Sequence, residues 1–295
     1  MTKPANCFLA IDKPQGISSF DVIRQLRRIT GIRKIGHTGT LDPFATGLLI
    51  CCLGSYTRLA SLLEAETKSY LATVKLGEQT ETGDPEGAVC QTGEIPCDYT
   101  DWTELKAAIL GLTELPTPAY SAVKVNGERA YALSRKGQKP QLPLRQTRIS
   151  SFELVKGEGE SIISTEGLLS YRCTVSKGTY IRSLSEWLAK RMGTVGYTVS
   201  LRREAIGGTS LESAVQLADL KADNWSEYAL EARQVLSGYP ALQLNETEFD
   251  RVKHGIDLPG QTWQSGQKVA LYFQEELIAV AQTGGEKLHP YLVLN

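Results

Sequence analysis

The chain has 295 residues, a net charge of −1, and 41% hydrophobic and 22% charged residues. It is too long for one minimal domain and long enough for a large core with a small satellite, in an ordinary globular composition. No apolar run approaches the ~20 residues that span a bilayer, and the N-terminus has no charged-then-apolar leader pattern. A cytoplasmic protein with no membrane partner is therefore expected. Six cysteines without a Cys-x-x-Cys pair and three histidines without ligand spacing argue against a disulfide framework or a metal site.

Residues 5–11 read as a strand that enters a turn at Pro14-Gln15-Gly16. Ser18 and Ser19 offer an N-cap for a helix over 20–29, where Val22, Ile23, Leu26 and Ile29 recur at helical spacing and Gly31 ends the run. Asp42-Pro43 reads as a second helix start, since the acid can cap free amides and proline suits the first helical position. Residues 70–76 have strand composition, and a loop through Thr80-Glu81-Thr82-Gly83-Asp84 follows. A helix over 102–110, with Leu105, Ala108 and Ile109 on its apolar face, is broken by Leu115-Pro116-Thr117-Pro118.

Residues 124–148 are rich in Gly, Pro and Arg and read as an exposed excursion with a short helix at about 130–136. Strands at 149–155, 168–176 and 197–204 accompany a helix over 180–192, whose Ile181, Leu184, Leu188 and Met192 share a face. Residues 221–231 are polar and read as mostly helical. Gly238 and Pro240 mark a domain boundary. Beyond it, 269–273, 277–280 and 291–294 read as short strands of a small β module.

Charge is unevenly spread. Lys124, Arg129, Arg135, Lys136, Lys139, Arg145 and Arg148 are opposed only by Glu128, and Arg24, Arg27, Arg28, Arg33 and Lys34 have no acid among them. Such runs are either solvated faces or phosphate-binding surfaces.

The most telling stretch is Gly36-His37-Thr38-Gly39-Thr40-Leu41-Asp42-Pro43-Phe44-Ala45-Thr46-Gly47-Leu48-Leu49. It holds one carboxylate, Asp42, in a Gly/Thr-rich loop at the head of an apolar run. No second acid, metal cluster or Gly-Lys-Ser/Thr phosphate loop accompanies it. On the residues alone, Asp42 is either a helix N-cap or a lone nucleophile or base.

Five further blocks stand in order around that loop. They are Asp12-Lys13-Pro14-Gln15-Gly16-Ile17-Ser18-Ser19, then Lys68-Ser69-Tyr70 with Thr80-Glu81-Thr82-Gly83-Asp84, and Pro118-Ala119-Tyr120-Ser121-Ala122-Val123-Lys124. The last two are Val175-Ser176-Lys177-Gly178-Thr179-Tyr180-Ile181-Arg182 and Leu201-Arg202-Arg203. Together the six blocks resemble the TruB-type tRNA pseudouridine synthases.

That resemblance implies an α+β pseudouridine synthase fold: a mixed, largely antiparallel central sheet flanked by helices, plus a small C-terminal PUA-like β-barrel. It divides the chain into a catalytic domain at 1–238, with a thumb-like RNA-binding insertion at about 118–148, and a short, divergent PUA-like domain at 239–295. The implied activity is isomerisation of uridine to pseudouridine at position 55 in the TΨC arm of tRNA, after base flipping, with no metal and no organic cofactor. Asp42 matches the family nucleophile, Arg182 its ionic partner, and Tyr70 the residue that stacks on the base near the C5 proton.

The resemblance also puts His37 beside the flipped nucleotide, Leu201 and Tyr180 in the pocket wall, and Lys13, Lys124 and Lys177 among the RNA contacts. The implied partner is a tRNA T-arm stem-loop, without guide RNA, bound by a monomer. The rival expectation is a non-catalytic protein that binds and folds tRNA; it uses the same basic excursion and terminal module.

Overall fold

Unbroken burial marks the centre of the sheet. The strand β1 (Cys7–Lys13) is buried along its whole length; the helix α1 (Ser19–Thr30) follows it, and β1 pairs antiparallel with β2 (Thr46–Leu53), buried from Gly47 onward. A strand covered on both faces needs such a continuous apolar run. Cys7, Leu9, Ile11, Leu49, Cys51 and Leu53 face α1, whereas Phe8, Ala10, Leu48, Ile50 and Cys52 face the C-terminal module. The computed structural model describes residues 6–121, 123–125, 127–135, 138, 141–156, 161–260 and 263–294. Ala5, Ala122, Lys136 and Lys139, which fall within the stretches read above, lie outside the described residues.

Further main elements before the C-terminal module are β3 (Lys68–Leu76), α2 (Trp102–Leu110), β4 (Ile149–Val155), β5 (Leu168–Val175), α3 (Ile181–Arg191) and β6 (Gly196–Ile206). They extend one sheet in the order β4-β5-β3-β6-β2-β1. Every pairing in that path is antiparallel except β6 with β2. The alternation of β3 turns Tyr70, Ala72, Val74 and Leu76 onto one face, where α2 and α3 close the largest core. This is the mixed, largely antiparallel sheet flanked by helices that the resemblance implies.

At α1, Ser18 caps the helix through a reciprocal bond with Asp21, and Gly31 takes the left-handed conformation at φ 74° that ends it. At Asp42-Pro43 no helix begins. A turn closes from Ala45 N–H to the Asp42 carbonyl at 3.1 Å, and the apolar run continues as β2. The reason lies in Gly47. Its φ is +101°, and a Cβ there would meet the Arg203 carbonyl oxygen at 2.3 Å, so β6 lies directly against it in a parallel register that a helix could not present. Residues 221–231 are not mostly helical either. Trp225 is buried on a single 3-10 turn, Trp225–Tyr228, and Ala229–Leu230 pairs with β1.

The C-terminal module is a five-stranded PUA-like half-barrel. It contains Ala241–Gln243, the helix α4 (Glu246–Lys253), Leu258–Pro259, β7 (Lys268–Phe273), β8 (Glu276–Gly284) and β9 (Lys287–Val293). One face encloses its own core around Val252, Leu271 and Leu288. The other presents Ala270, Tyr272, Leu277 and Val280 to the β1–β2 face, so one apolar cluster spans the module and the catalytic sheet.

Candidate active site

Asp42 lies in the turn just before β2, Tyr70 near the start of β3, and Arg182 in the first turn of α3. A cationic residue in a first helical turn works against the helix dipole. Here four acceptors offset that cost. The Arg182 Nε meets Asp42 Oδ2 at 3.1 Å, and Nη1 meets Asp84 Oδ2 at 3.1 Å. Nη1 also donates to the Thr82 carbonyl at 2.8 Å, and Nη2 to the Tyr120 carbonyl at 2.9 Å. Arg182 and Asp84 are only 4% and 5% exposed, whereas Asp42 is 35% exposed. Among the described residues no protein donor reaches Asp42 Oδ1. One carboxylate oxygen is thus fixed by the guanidinium and the other is free.

Asp42 lines a cavity of about 1050 Å³, at the upper end of ligand-site sizes. Burial pushes the Asp42 carboxyl above the ordinary carboxylate range and the neighbouring Asp84 adds to the rise, while Arg182 and Lys13 pull it back. Tyr70, Lys177, Tyr180, Arg182 and Leu201 line the same cavity.

Three further residues complete the site. Asp84 also accepts from the Thr82 hydroxyl at 2.6 Å and the Glu86 N–H at 3.0 Å, which fixes the loop beneath Arg182. Arg203 is almost wholly buried. It donates to the Leu48 carbonyl at 2.7 Å and the Gly39 carbonyl at 3.1 Å. Burial raises the Tyr70 phenol above its ordinary value, and the Arg203 charge opposes the rise. Lys68 donates to the Glu64 and Glu66 carbonyls at 2.8 and 2.7 Å, and burial together with Arg203 lowers its ammonium to about 8.

The signal for Arg203 and Lys68 is the strand period. Arg203 lies two residues from Leu201, and Lys68 two from Tyr70, so each shares a face with a residue expected to point inward.

Two expected site residues sit differently from the expectation. Lys13 is fully buried, and its ammonium is spent on the carbonyls of Pro14 at 2.9 Å, Ile17 at 2.7 Å and Pro43 at 3.3 Å. It fastens the Asp42 turn to the end of β1 and offers nothing to a phosphate; burial holds it down at about 8. His37 is absent from the cavity wall. Its Nδ1 accepts the Gly39 N–H at 3.3 Å, and burial with the Arg203 charge lowers its pKa, so it shapes the loop as a neutral ring. Lys124 lies on the two-residue strand Lys124–Val125, paired with Glu128–Arg129.

This geometry can be set beside known proteins. The family described as "TruB family pseudouridylate synthase (N terminal domain)" matches residues 27–181. The tRNA pseudouridine synthase B of Mycobacteroides abscessus is 36% identical over 290 residues, covering 96% of this chain and 94% of that one. The chain belongs to the TruB family. The tRNA pseudouridine synthase B of Leifsonia xyli, another TruB relative, is 39% identical over 268 residues, covering 89% of this chain and 87% of its own. In fold, the chain is similar to one in a structure of an H/ACA RNP bound to a substrate RNA containing 2′-deoxyuridine. The TM-score is 0.70 at 20% identity, covering 98% of this chain and 85% of that one. Asp42, Tyr70 and Asp84 all fall inside the matched TruB region, and Arg182 lies one residue beyond it.

Proposed function

We propose that this TruB-family chain isomerises uridine to pseudouridine at position 55 in the TΨC arm of tRNA, with Asp42 as the nucleophile. The reading is supported by relatives that carry the name tRNA pseudouridine synthase B along nearly their whole length. The observation that carries it is the setting of Asp42: its Oδ2 is paired with the buried Arg182, and the residue lines the large cavity. An ionised carboxylate held by one oxygen is aimed without being neutralised, which a nucleophile requires.

The reaction breaks the N1–C1′ bond and forms a C5–C1′ bond. The C5 proton leaves and N1 gains one, so there is no net oxidation or hydrolysis. Asp42 attacks the sugar or the ring. Tyr70 stacks on the base, and its hydroxyl moves the C5 proton. Leu201 and Tyr180 wall the base, while Lys177 and Lys124 contact the RNA backbone. Extruding a paired or stacked uridine costs a few kcal/mol, which these contacts offset. The same proposal includes a catalytic domain at 1–238 with a thumb at about 118–148, a PUA-like domain at 239–295, and a monomer acting in the cytoplasm without a guide RNA.

The test is tritium release from a T-arm stem-loop labelled at uracil C5. Wild type releases tritium and Asp42→Asn releases none while still binding the RNA. A folded, RNA-binding wild type that releases none on this substrate overturns the proposal and favours a tRNA-folding role.

A further inference from the structure

The face of α1 turned away from the core carries chemistry that the cavity does not use. Five cations, Arg24, Arg27, Arg28, Arg33 and Lys34, lie between Asp21 and Asp42 with no acid among them, on a chain whose net charge is −1. Asp21 is committed to the Ser18 cap and to Arg24. Among the described residues Arg27, Arg28, Arg33 and Lys34 have no carboxylate partner, although a solvated helix face ordinarily carries acids at i±4.

Phe20 is 57% exposed, and it stands at i with Arg24 at i+4 and Arg27 at i+7 on one stripe. Both guanidinium carbons lie 5.8 Å from its ring centroid. An aromatic face edged by two guanidiniums, of which Arg27 has no carboxylate partner among the described residues, offers a stacking surface for a base and donors for phosphates.

The stripe is also tied to the active site. Ser18, the cap of α1, lines the cavity. The Ser19 hydroxyl accepts from Leu41 N–H at 2.9 Å and donates to the Leu41 carbonyl at 3.1 Å, which locks the first turn of α1 to the Asp42 loop. The N-terminal end of α1 thus borders the cavity, with Phe20 two residues beyond the lining Ser18. From Phe20 to Arg28 the stripe runs on for about 12 Å.

We propose that this α1 stripe is a second contact surface for the substrate RNA, with phosphates on Arg24, Arg27 and Arg28 and one unpaired base on Phe20. The inference rests on the proposed function for the identity of the RNA, and its test is binding, which does not need turnover.

Three variants are compared with wild type by filter binding of an unmodified tRNA transcript across a salt series: Phe20→Ala, Phe20→Trp, and the double change Arg27→Gln with Arg28→Gln. All are exposed positions, and circular dichroism checks the fold. Phe20→Ala weakens Kd by about 5-fold or more, and Phe20→Trp restores it. The double variant reduces the slope of log K against log salt by about 0.7–0.9 for each phosphate it no longer engages. In tritium release, KM rises in both weakened variants while kcat stays within about 2-fold of wild type, because the stripe lies outside the reacting groups. Unchanged Kd and unchanged salt slope in both overturn the proposal and leave the stripe to an acidic protein partner. A fall in kcat with KM unchanged also overturns it. A wild type that binds tRNA tightly yet releases no tritium counts against the proposed function and not against this surface.

Discussion

Replacing Arg182 tests the charge balance of the site most directly. One guanidinium is shared by two carboxylates, with Asp42 and Asp84 each 3.1 Å from it, and two backbone carbonyls take its other donors. Arg182→Met keeps most of the side-chain volume and leaves one almost fully buried carboxylate, Asp84, without its cation. Removing one partner of a buried pair costs about 3–5 kcal/mol, because the remaining charge is uncompensated. At this chain length that corresponds to a Tm lower by roughly 5–8 °C. Adding Asp84→Asn removes the stranded charge, so the double variant should recover at least ~1 kcal/mol relative to Arg182→Met alone. Arg182→Lys keeps a charge but cannot reach four acceptors with a planar fork, so it should recover only part of the loss. Burial already raises the Asp42 carboxyl and Arg182 is the main opposing influence. Wild-type turnover should therefore fall on the acid side above the ordinary carboxylate range, and at still higher pH in Arg182→Lys if the ammonium sits farther from Asp42. Urea unfolding at pH 7 and a pH series of tritium release measure both effects. Arg182→Met within ~1 kcal/mol of wild type, or Asp84→Asn deepening its loss, would refute the assigned charge balance.

Gly47→Ala should destabilise by about 2–5 kcal/mol, since it adds a left-handed penalty to overpacking against a backbone that cannot yield. The Cβ would sit 2.3 Å from the Arg203 carbonyl oxygen at φ +101°, and an unchanged Tm would contradict that contact. Stability should pass through a maximum near pH 9. Lys13 and Lys68 are lowered from 10.5 to about 8, so from pH 8 to 10.5 the unfolded chain binds more protons and stability rises with pH. Cys7, Cys52 and Cys173 are raised from 9.0 to about 12 by burial, and Cys51 is raised as well, so above pH 9 the folded chain binds more protons and four thiols outweigh two lysines. Each thiol contributes a slope of about −1.4 kcal/mol per pH unit. Cys52→Ala should flatten the alkaline decline by one such increment in urea titrations at pH 9.5–11; an unaltered slope would remove the thiols from the explanation.

Local signals in the sequence were sufficient wherever one physical rule dominated. The α1 boundaries follow from Ser18 and Gly31, and β3 from composition and alternation. The second helix start failed because Asp42-Pro43 satisfies the capping rules, while the decisive constraint is the approach of β6 to Gly47, more than 150 residues away in sequence. The buried pair Cys51-Cys52 tells the same story. Adjacent residues in a strand face opposite sides, so both can be buried only if α1 covers one face and the C-terminal module the other.

The site was readable to the extent that its residues pair with other side chains. Asp42 and Arg182 form such a pair, and the family resemblance reached them along with Tyr70. Lys13, Lys68 and Arg203 satisfy their charges largely on backbone carbonyls, which carry no residue identity and so leave no trace in sequence. Carbonyl-bound cations of this kind look like ordinary surface lysines and arginines until the chain is folded. They place positive charge around Asp42 in a nearly neutral protein, in a cavity that Glu64, Glu81, Asp84 and Glu86 also line. Lys68 and Arg203 line the same cavity, with their donors directed at the carbonyls of Leu48, Gly39, Glu64 and Glu66. Among the described residues Arg182 is the only cation paired with Asp42, and its Nε meets one carboxylate oxygen, Oδ2.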